Sequence, residues 1–289
     1  MADTSVLMID TCSDLPADLV DGLGVTVVNF PYAIDGTEHL DDFGRTMSHA
    51  EFYDAMRAGE HPTTMQVPRH VFLDTFRTHA QAGTPLMYLG FSSALSGTFD
   101  IAWTAREEVL TEFPDAEIRI VDTRAASIAE GLLVYEAARR WQDGMALADL
   151  EAWVERARPR LHGWFIIDDL DTLVRGGRLS GTAAAAGTLL DVKPLLQVTA
   201  DGRLEVARRL RGRAKSMRAL ADIVAQHAAD GEWGTVAVGH GDCAEDARRL
   251  AGMLAERAGV DEVITMPVGP VIGTHTGPGM LAVSFWGEG

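Results

Sequence analysis

The chain has 289 residues, 47% of them apolar and 7% aromatic, enough for one large or two moderate globular domains. Its net charge of −17 argues against general nucleic-acid binding and against tight adhesion to anionic membranes, because both need clustered Lys and Arg. Cys12 and Cys243 are too few for a disulfide framework or a thiolate zinc site and are expected as reduced thiols. The opening MADTSVLMID carries Asp3 and no basic stretch, so no signal peptide is expected, and no run of about 18 apolar residues predicts a membrane span. The expectation is a soluble, cytoplasmic protein, monomeric because no long exposed apolar face is evident.

Short apolar runs alternate with helical patterns, the signature of βαβ units and a mainly parallel sheet. Val6–Ile9, Val25–Phe30, Leu86–Leu89 and Ile118–Val121 read as strands. Helices are predicted over Ser48–Arg57, where Ser48 and Glu51 fit a capping box, and over Arg69–Ala80, Gly97–Phe113, Ala125–Asp143 and Ala146–Arg158. The texture changes near residue 160. Trp164–Ile167 is a strand, Asp171–Leu190 is rich in Gly and Ala, and Leu195–Val198 and Leu204–Val206 flank the Asp-Gly turn of Thr199–Arg203 as a hairpin. A helix over Arg213–His227, a strand over Thr235–His240, a helix to Ala258 and strands over Glu262–Val268 and Met280–Trp286 complete an α/β chain. Two lobes are expected, 1–160 and 161–289.

Four segments are small and hydroxyl-rich: DTCSDLP at 10–16, PTTMQ at 62–66, FSSALSGTF at 91–99 and HTGPG at 275–279. The third follows a predicted strand and opens a helix with Ser96 as its expected cap, so hydroxyls and free N–H groups converge where a helix N-terminus favours negative charge. Together they predict one anion-binding cleft. Nucleotide motifs are missing: a P-loop needs Lys directly after Gly, but Val192 and Ala214 precede Lys193 and Lys215, and Gly269, Gly273, Gly277 and Gly279 do not form GxGxxG. Ser92 or Ser93 with His275 leaves serine hydrolysis open, although Ala94 stands where a nucleophile elbow needs Gly. No metal is expected: His61, His70 and His79 repeat every nine residues, off a helical face, and His240-Gly-Asp242-Cys243 reads as a strand end with Asp242 capping a helix. The run Arg203–Arg218 is either a solvated face or a docking patch for an acidic or phosphate-handling partner.

In order, DTCSDLP, PTTMQ, FSSALSGTF, LVRGGRLSG, LLDVKPLLQVTADGRL and HTGPG resemble the signature segments of the DegV family over essentially the whole chain. The resemblance implies a two-lobed α/β fold with mainly parallel sheets and flanking helices. It implies a long-chain fatty acid in a cleft between the lobes, no other cofactor, and a separate ATP-binding fatty acid kinase subunit as partner, which makes the acyl phosphate. By the same resemblance, Thr64, Ser93, Ser92 and His275 would bind the fatty-acid carboxylate. Thr11, Ser13, Gly97, Thr276 and Gly277 would support the cleft, and Arg178 would serve phosphotransfer at the mouth. Met65 and Val67 depart from the Ser and Pro that the family usually carries after the threonine. A lipid sensor or transporter that never meets a kinase is the third reading.

Overall fold

The computed structural model describes residues 5–168, 170–180, 192–228, 235–260 and 262–288. In chain order the first half contains β1 (Val6–Asp10), α1 (Ala17–Leu23), β2 (Thr26–Val28), β3 (Pro31–Ile34), β4 (Thr37–Leu40), α2 (His49–Arg57), β5 (Thr63–Thr64), α3 (Arg69–Ala82), β6 (Leu86–Gly90), α4 (Thr98–Glu112), β7 (Ile118–Asp122), α5 (Ile128–Gln142) and α6 (Leu147–Ala157). The second contains β8 (Leu161–Ile166), α7 (Asp171–Arg175), β9 (Val192–Val198), β10 (Leu204–Arg211), α8 (Arg213–His227), β11 (Val236–His240), α9 (Ala244–Ala258), β12 (Val263–Pro267), α10 (Pro270–Thr276) and β13 (Leu281–Trp286). The second half of the predicted Gly- and Ala-rich stretch, residues 181–190, lies outside the described residues.

The first sheet, β2-β1-β6-β7, is wholly parallel. Its strands β1 and β6 are buried on both faces, which is why VLMID and LMYLG read as continuous apolar runs. The second sheet, β10-β9-β8-β13-β11-β12, departs from the parallel expectation, because only β11 and β12 run parallel. Its hairpin arises at Thr199–Arg203 as predicted, with Gly202 at φ 79°. The apolar core is continuous from the first sheet through Phe165, Leu196 and Ala282 of the second. A small third sheet, β4-β3-β5, hangs on the first half. Its β3–β4 hairpin turns at Asp35-Gly36, both with positive φ, an Asp-Gly signal that the sequence reading passed over.

Helix ends follow local chemistry. The Ser48–Glu51 capping box forms in both directions, with Ser48 Oγ accepting from Glu51 N and Glu51 accepting from Ser48 N. Asp242 is not the cap of α9: Cys243 takes that position, and Asp242 instead pairs with Arg57 at 2.6 Å. Gly97 rather than Ser96 is the cap residue of α4, although Ser96 Oγ does accept from Thr98 N at 3.2 Å. Within the arginine run, Arg213 is structural: it pairs with Asp246 at 2.7 Å and donates to the Gly279 carbonyl. Arg208 and Arg211 lie exposed on the edge strand β10. No described helix is long and apolar enough to cross a membrane.

Candidate functional site

In the parallel sheet the strand order places β1 and β6 side by side, with β2 beyond one and β7 beyond the other, so the loops at their carboxyl ends diverge at that point. A crevice at such a switch is where open α/β sheets place ligands. Here a largely apolar chamber of about 880 Å³ lies over those strand ends and is closed by the second sheet and α10. Phe30, Phe91, Leu173, Ile272, Met280 and Val283 are among its apolar lining.

One end is polar. Strand β5 adds to the edge of β3 with Thr64 opposite Tyr32, and Thr64 Oγ1 lies 2.8 Å from His275 Nε2 in the last turn of α10. The Gly176-Gly177-Arg178 turn packs on the same imidazole, since a Cβ at Gly176 would sit 2.3 Å from His275 Nδ1. Arg178 donates to the carbonyls of Leu95 (3.1 Å) and Gly176 (2.6 Å), fastening that turn to the loop after β6. Burial first, and then the Arg178 guanidinium, push the His275 pKa down to about 4. The imidazole is therefore neutral at pH 7. Its Nδ1 is buried and has no partner among the described residues.

The loop at 91–97 sorts its three serines into different tasks. Ser92 is fully buried, and its hydroxyl donates to the Gly202 carbonyl at 2.9 Å. Ser93 is exposed, and both its N–H and its hydroxyl donate to the Asp122 carboxylate. Neither lines the chamber, whereas Ser96 does. The turn thus directs the Ser92 and Ser93 hydroxyls to Gly202 and Asp122, and Ser96 is the serine of this loop on the chamber lining. Neither Ser92 nor Ser93 is bonded to His275, whose partner is Thr64, so the Ser–His pair needed by the hydrolase reading is not formed.

The loop carrying Thr64 is clasped onto this one. Val67 N donates to Thr98 Oγ1 at 3.3 Å, a bond that a proline at that position could not make. Val67 itself is fully buried, and Met65 lines the chamber. Gly97 does not line the cavity but makes room for the clasp, since a Cβ there would lie 2.2 Å from Gln66 Nε2. Thr276 lines the chamber; Gly277 does not, and at φ 76° it ends α10. Thr11 and Ser13 do not line the chamber either. They sit in a buried single-turn 3-10 helix behind the wall, where Thr11 Oγ1 accepts from Phe30 N and Ser13 Oγ donates to the Asp10 carbonyl.

Beyond the Thr64–His275 contact lies a second pocket, lined among others by His61, Thr63, Thr172, Arg175 and Thr274, which shares Thr64, Arg178 and His275 with the first. No three His, Cys, Asp or Glu side chains converge as a metal site among the described residues. The thiols are poorly disposed to ionise: burial raises Cys12 well above the usual range and Cys243 to about 11. Neutral donors beside a guanidinium at the end of an apolar chamber suit an amphipathic anion.

A family model described as an uncharacterised protein of the DegV family matches residues 5–288. The chain belongs to the DegV family. It is 41% identical over 283 residues to a DegV domain-containing protein of Clostridium perfringens, covering 98% of this chain and 97% of the relative. Among solved structures it resembles a DegV family protein of Thermus thermophilus described by its fatty acid binding, with 31% identity, a TM-score of 0.82 and coverage of 99% and 100% of the two chains. A fatty acid binding DegV family protein of Streptococcus agalactiae superposes with a TM-score of 0.85 at 28% identity, covering 98% of this chain and 99% of that one. A structure from Eubacterium ventriosum shares the fold at a TM-score of 0.87 with 23% identity, covering 98% of both chains. The α/β architecture is thus the DegV fold.

Proposed function

We propose that this DegV protein binds a long-chain fatty acid between its lobes, 1–160 and 161–289, and presents the carboxylate to a separate ATP-binding kinase subunit. The observation that carries the first part is an apolar chamber ending at Thr64, Ser96 and neutral His275, with Arg178 alongside. A buried carboxylate must be hydrogen-bonded or it takes up a proton, and hydroxyls supply that without committing it to a salt bridge. The acyl tail gains up to about 0.8 kcal/mol per buried CH₂. The fatty acid binding of DegV proteins from Thermus thermophilus and Streptococcus agalactiae supports the same reading.

Organic extraction of the purified protein followed by mass spectrometry tests this directly, with a long-chain fatty acid as the expected product. Thr64→Val and Ser96→Ala should each weaken retention about 10- to 100-fold, the effect of losing one hydrogen bond to a charged group. Ser93→Ala should leave it unchanged. Wild-type lipid content in all three variants would move the head group elsewhere.

The kinase part rests on the family resemblance and on the absence of a Walker sequence around Lys193 and Lys215. In the reaction a carboxylate oxygen attacks the terminal phosphorus of ATP held by the partner, the bond to ADP breaks, and an acyl phosphate forms. Arg178, standing where the two chambers meet, stabilises the developing charge. Arg178→Ala should therefore lower kcat with the cognate kinase while fatty-acid retention persists. Charge reversal at exposed Arg208 and Arg211 should raise the apparent KM for the binding protein and flatten its salt dependence. Unchanged kinetics in both would put the kinase interface on another face, and ATP binding by this chain alone, measured by calorimetry, would overturn the two-component reading.

A further inference from the structure

We propose that Asp14 and Tyr53 are positioning residues for the carboxylate site: from behind the chamber wall they fix the start of α10, and through that helix they hold His275 against Thr64. The proposal rests on the fatty-acid reading above and deepens it. Neither residue lines the chamber or the pocket beyond it, so both act through the helix alone.

The first ground is that α10 cannot place itself. It has seven residues, and isolated helices shorter than about 12 residues are marginal in water. Its cap residue, Gly269, makes no side-chain bond, and Pro270 carries no N–H, so nothing local orients the first turn. Tertiary contacts must do so.

The second ground is a single peptide group held at both ends. Tyr53 Oη donates to the Val268 carbonyl at 3.0 Å, and the Gly269 N–H, in the same peptide plane, donates to Asp14 Oδ1 at 2.8 Å. Both bonds are buried and span 215 and 255 positions, so two separate segments of the first half converge on one peptide bond near the end of the second. Asp14 is itself anchored. Its N–H donates to the Thr11 carbonyl at 3.2 Å, and its Oδ2 accepts from Ser127 Oγ, a residue of the chamber lining at the start of α5. Tyr53 lies in α2, which packs so closely on α10 that a Cβ at Gly273 would stand 2.6 Å from the Tyr53 hydroxyl. The third ground is leverage. His275 follows Gly269 by six residues, about 9 Å of helix rise. A tilt of about 10° at the pinned peptide would carry the imidazole about 1.5 Å, enough to break its 2.8 Å contact with Thr64.

Palmitate and hexadecanol share a tail but not a carboxylate, so titrating each into the full chain separates head-group positioning from bulk structure. Tyr53→Phe keeps the ring and loses only the hydroxyl. Asp14→Gly loses the carboxyl at a backbone angle, φ 50°, that glycine accepts. Each should weaken palmitate about tenfold while hexadecanol stays within about twofold. Asp14→Asn suits the same φ and keeps an acceptor for the Gly269 N–H, so it should bind palmitate as wild type does. Equal weakening of both lipids would make the pair merely structural and overturn the proposal, as would unchanged palmitate binding in both loss variants. Tyr53→Phe decides the matter alone if Asp14→Gly does not fold. The His275 ring supplies a readout without ligand. Its NMR titration should move up from about 4 in Tyr53→Phe, because a displaced imidazole is better hydrated, and an unmoved titration would overturn the proposal. Wild-type protein that binds neither lipid would overturn the fatty-acid reading, and the titration would then decide the placing of His275 without it.

Discussion

Gly131→Ala should destabilise the protein by about 2 kcal/mol or more, even though alanine is worth about 1 kcal/mol more than glycine inside a helix. Gly131 lies in α5, and a Cβ there would stand 2.3 Å from the carbonyl oxygen of Ser13, with Met266 Sδ at 3.2 Å. That carbonyl cannot easily yield. The 3-10 turn that carries it is wholly buried and is held by Cys12 N donating to Asp10 Oδ1 at 3.0 Å and Ser13 Oγ donating to the Asp10 carbonyl at 2.8 Å. Overpacking against fixed backbone costs about 3 kcal/mol or more at the severe end of the range, which exceeds the gain in helix propensity. Gly252 in α9 has nothing within 4 Å of its added Cβ. Gly252→Ala should therefore stabilise by about 0.5–1 kcal/mol. Urea midpoints for the two variants should move in opposite directions, and a stabilised Gly131→Ala would mean that α5 is free to shift off the turn.

Stability should fall as pH rises from about 4 to 7, the reverse of the usual acid denaturation. Asp10, Asp14, Asp41 and Glu130 are all buried, and their recorded partners are neutral hydroxyls and backbone N–H groups, or for Glu130 none. Burial raises Asp10 from 3.8 to about 6 and Asp41 from 3.8 to about 7, and it lifts Asp14 and Glu130 well above their ordinary values. A carboxyl whose folded pKa is raised binds its proton more tightly in the native state. Its contribution is fully present below the unfolded pKa and is lost as pH climbs through the folded one. For Asp41 the loss by pH 7 is on the order of 4 kcal/mol, at 1.36 kcal/mol per pKa unit. Surface carboxylates held down by arginine, such as Glu108 and Glu112, act in the opposite sense, but solvent screening leaves them little weight. The buried imidazoles of His275, His49, His162 and His240, whose affinity for a proton burial lowers, also act in the opposite sense and offset part of the fall between about pH 4 and 6.5, without cancelling four buried carboxyls. Urea unfolding across pH 4.5–8 should show the decline, and Asp41→Asn should flatten it between pH 4 and 7. A wild-type profile that is level or rising would mean that water or counter-charge reaches this cluster.

Local chemistry was legible where it was self-contained. Ser48 and Glu51 announce a helix start through a reciprocal bond that depends only on four consecutive residues, and the Asp-Gly of Thr199–Arg203 announces its hairpin in the same way. The β3–β4 hairpin escaped because TEHL is polar and mostly exposed, leaving Asp35-Gly36 with an apolar flank on the β3 side only. The site was legible as a set of segments but not as a set of side chains. Ser92, Ser93 and Ser96 have the same chemistry, and which one meets the chamber depends on the rotation of a turn fixed by Asp122, Gly202 and Ala125, partners 29 to 110 residues away for the two serine hydroxyls. Arg175 and Thr172 carried no signal of their own, since only the folded chain shows that they face the same space as His275.

The Thr64–His275 contact joins residues 211 positions apart. Closing so long a loop is entropically uphill until the packing on both sides exists to offset it. The wall that bears His275 is also synthesised long after the parallel sheet, since β7 ends at Asp122 and α10 begins at Pro270. A growing chain can thus complete its parallel sheet, with the open strand ends that floor the chamber, well before it owns the residue that closes the head-group end. A chain truncated before residue 270 would therefore expose an apolar trough with no latch.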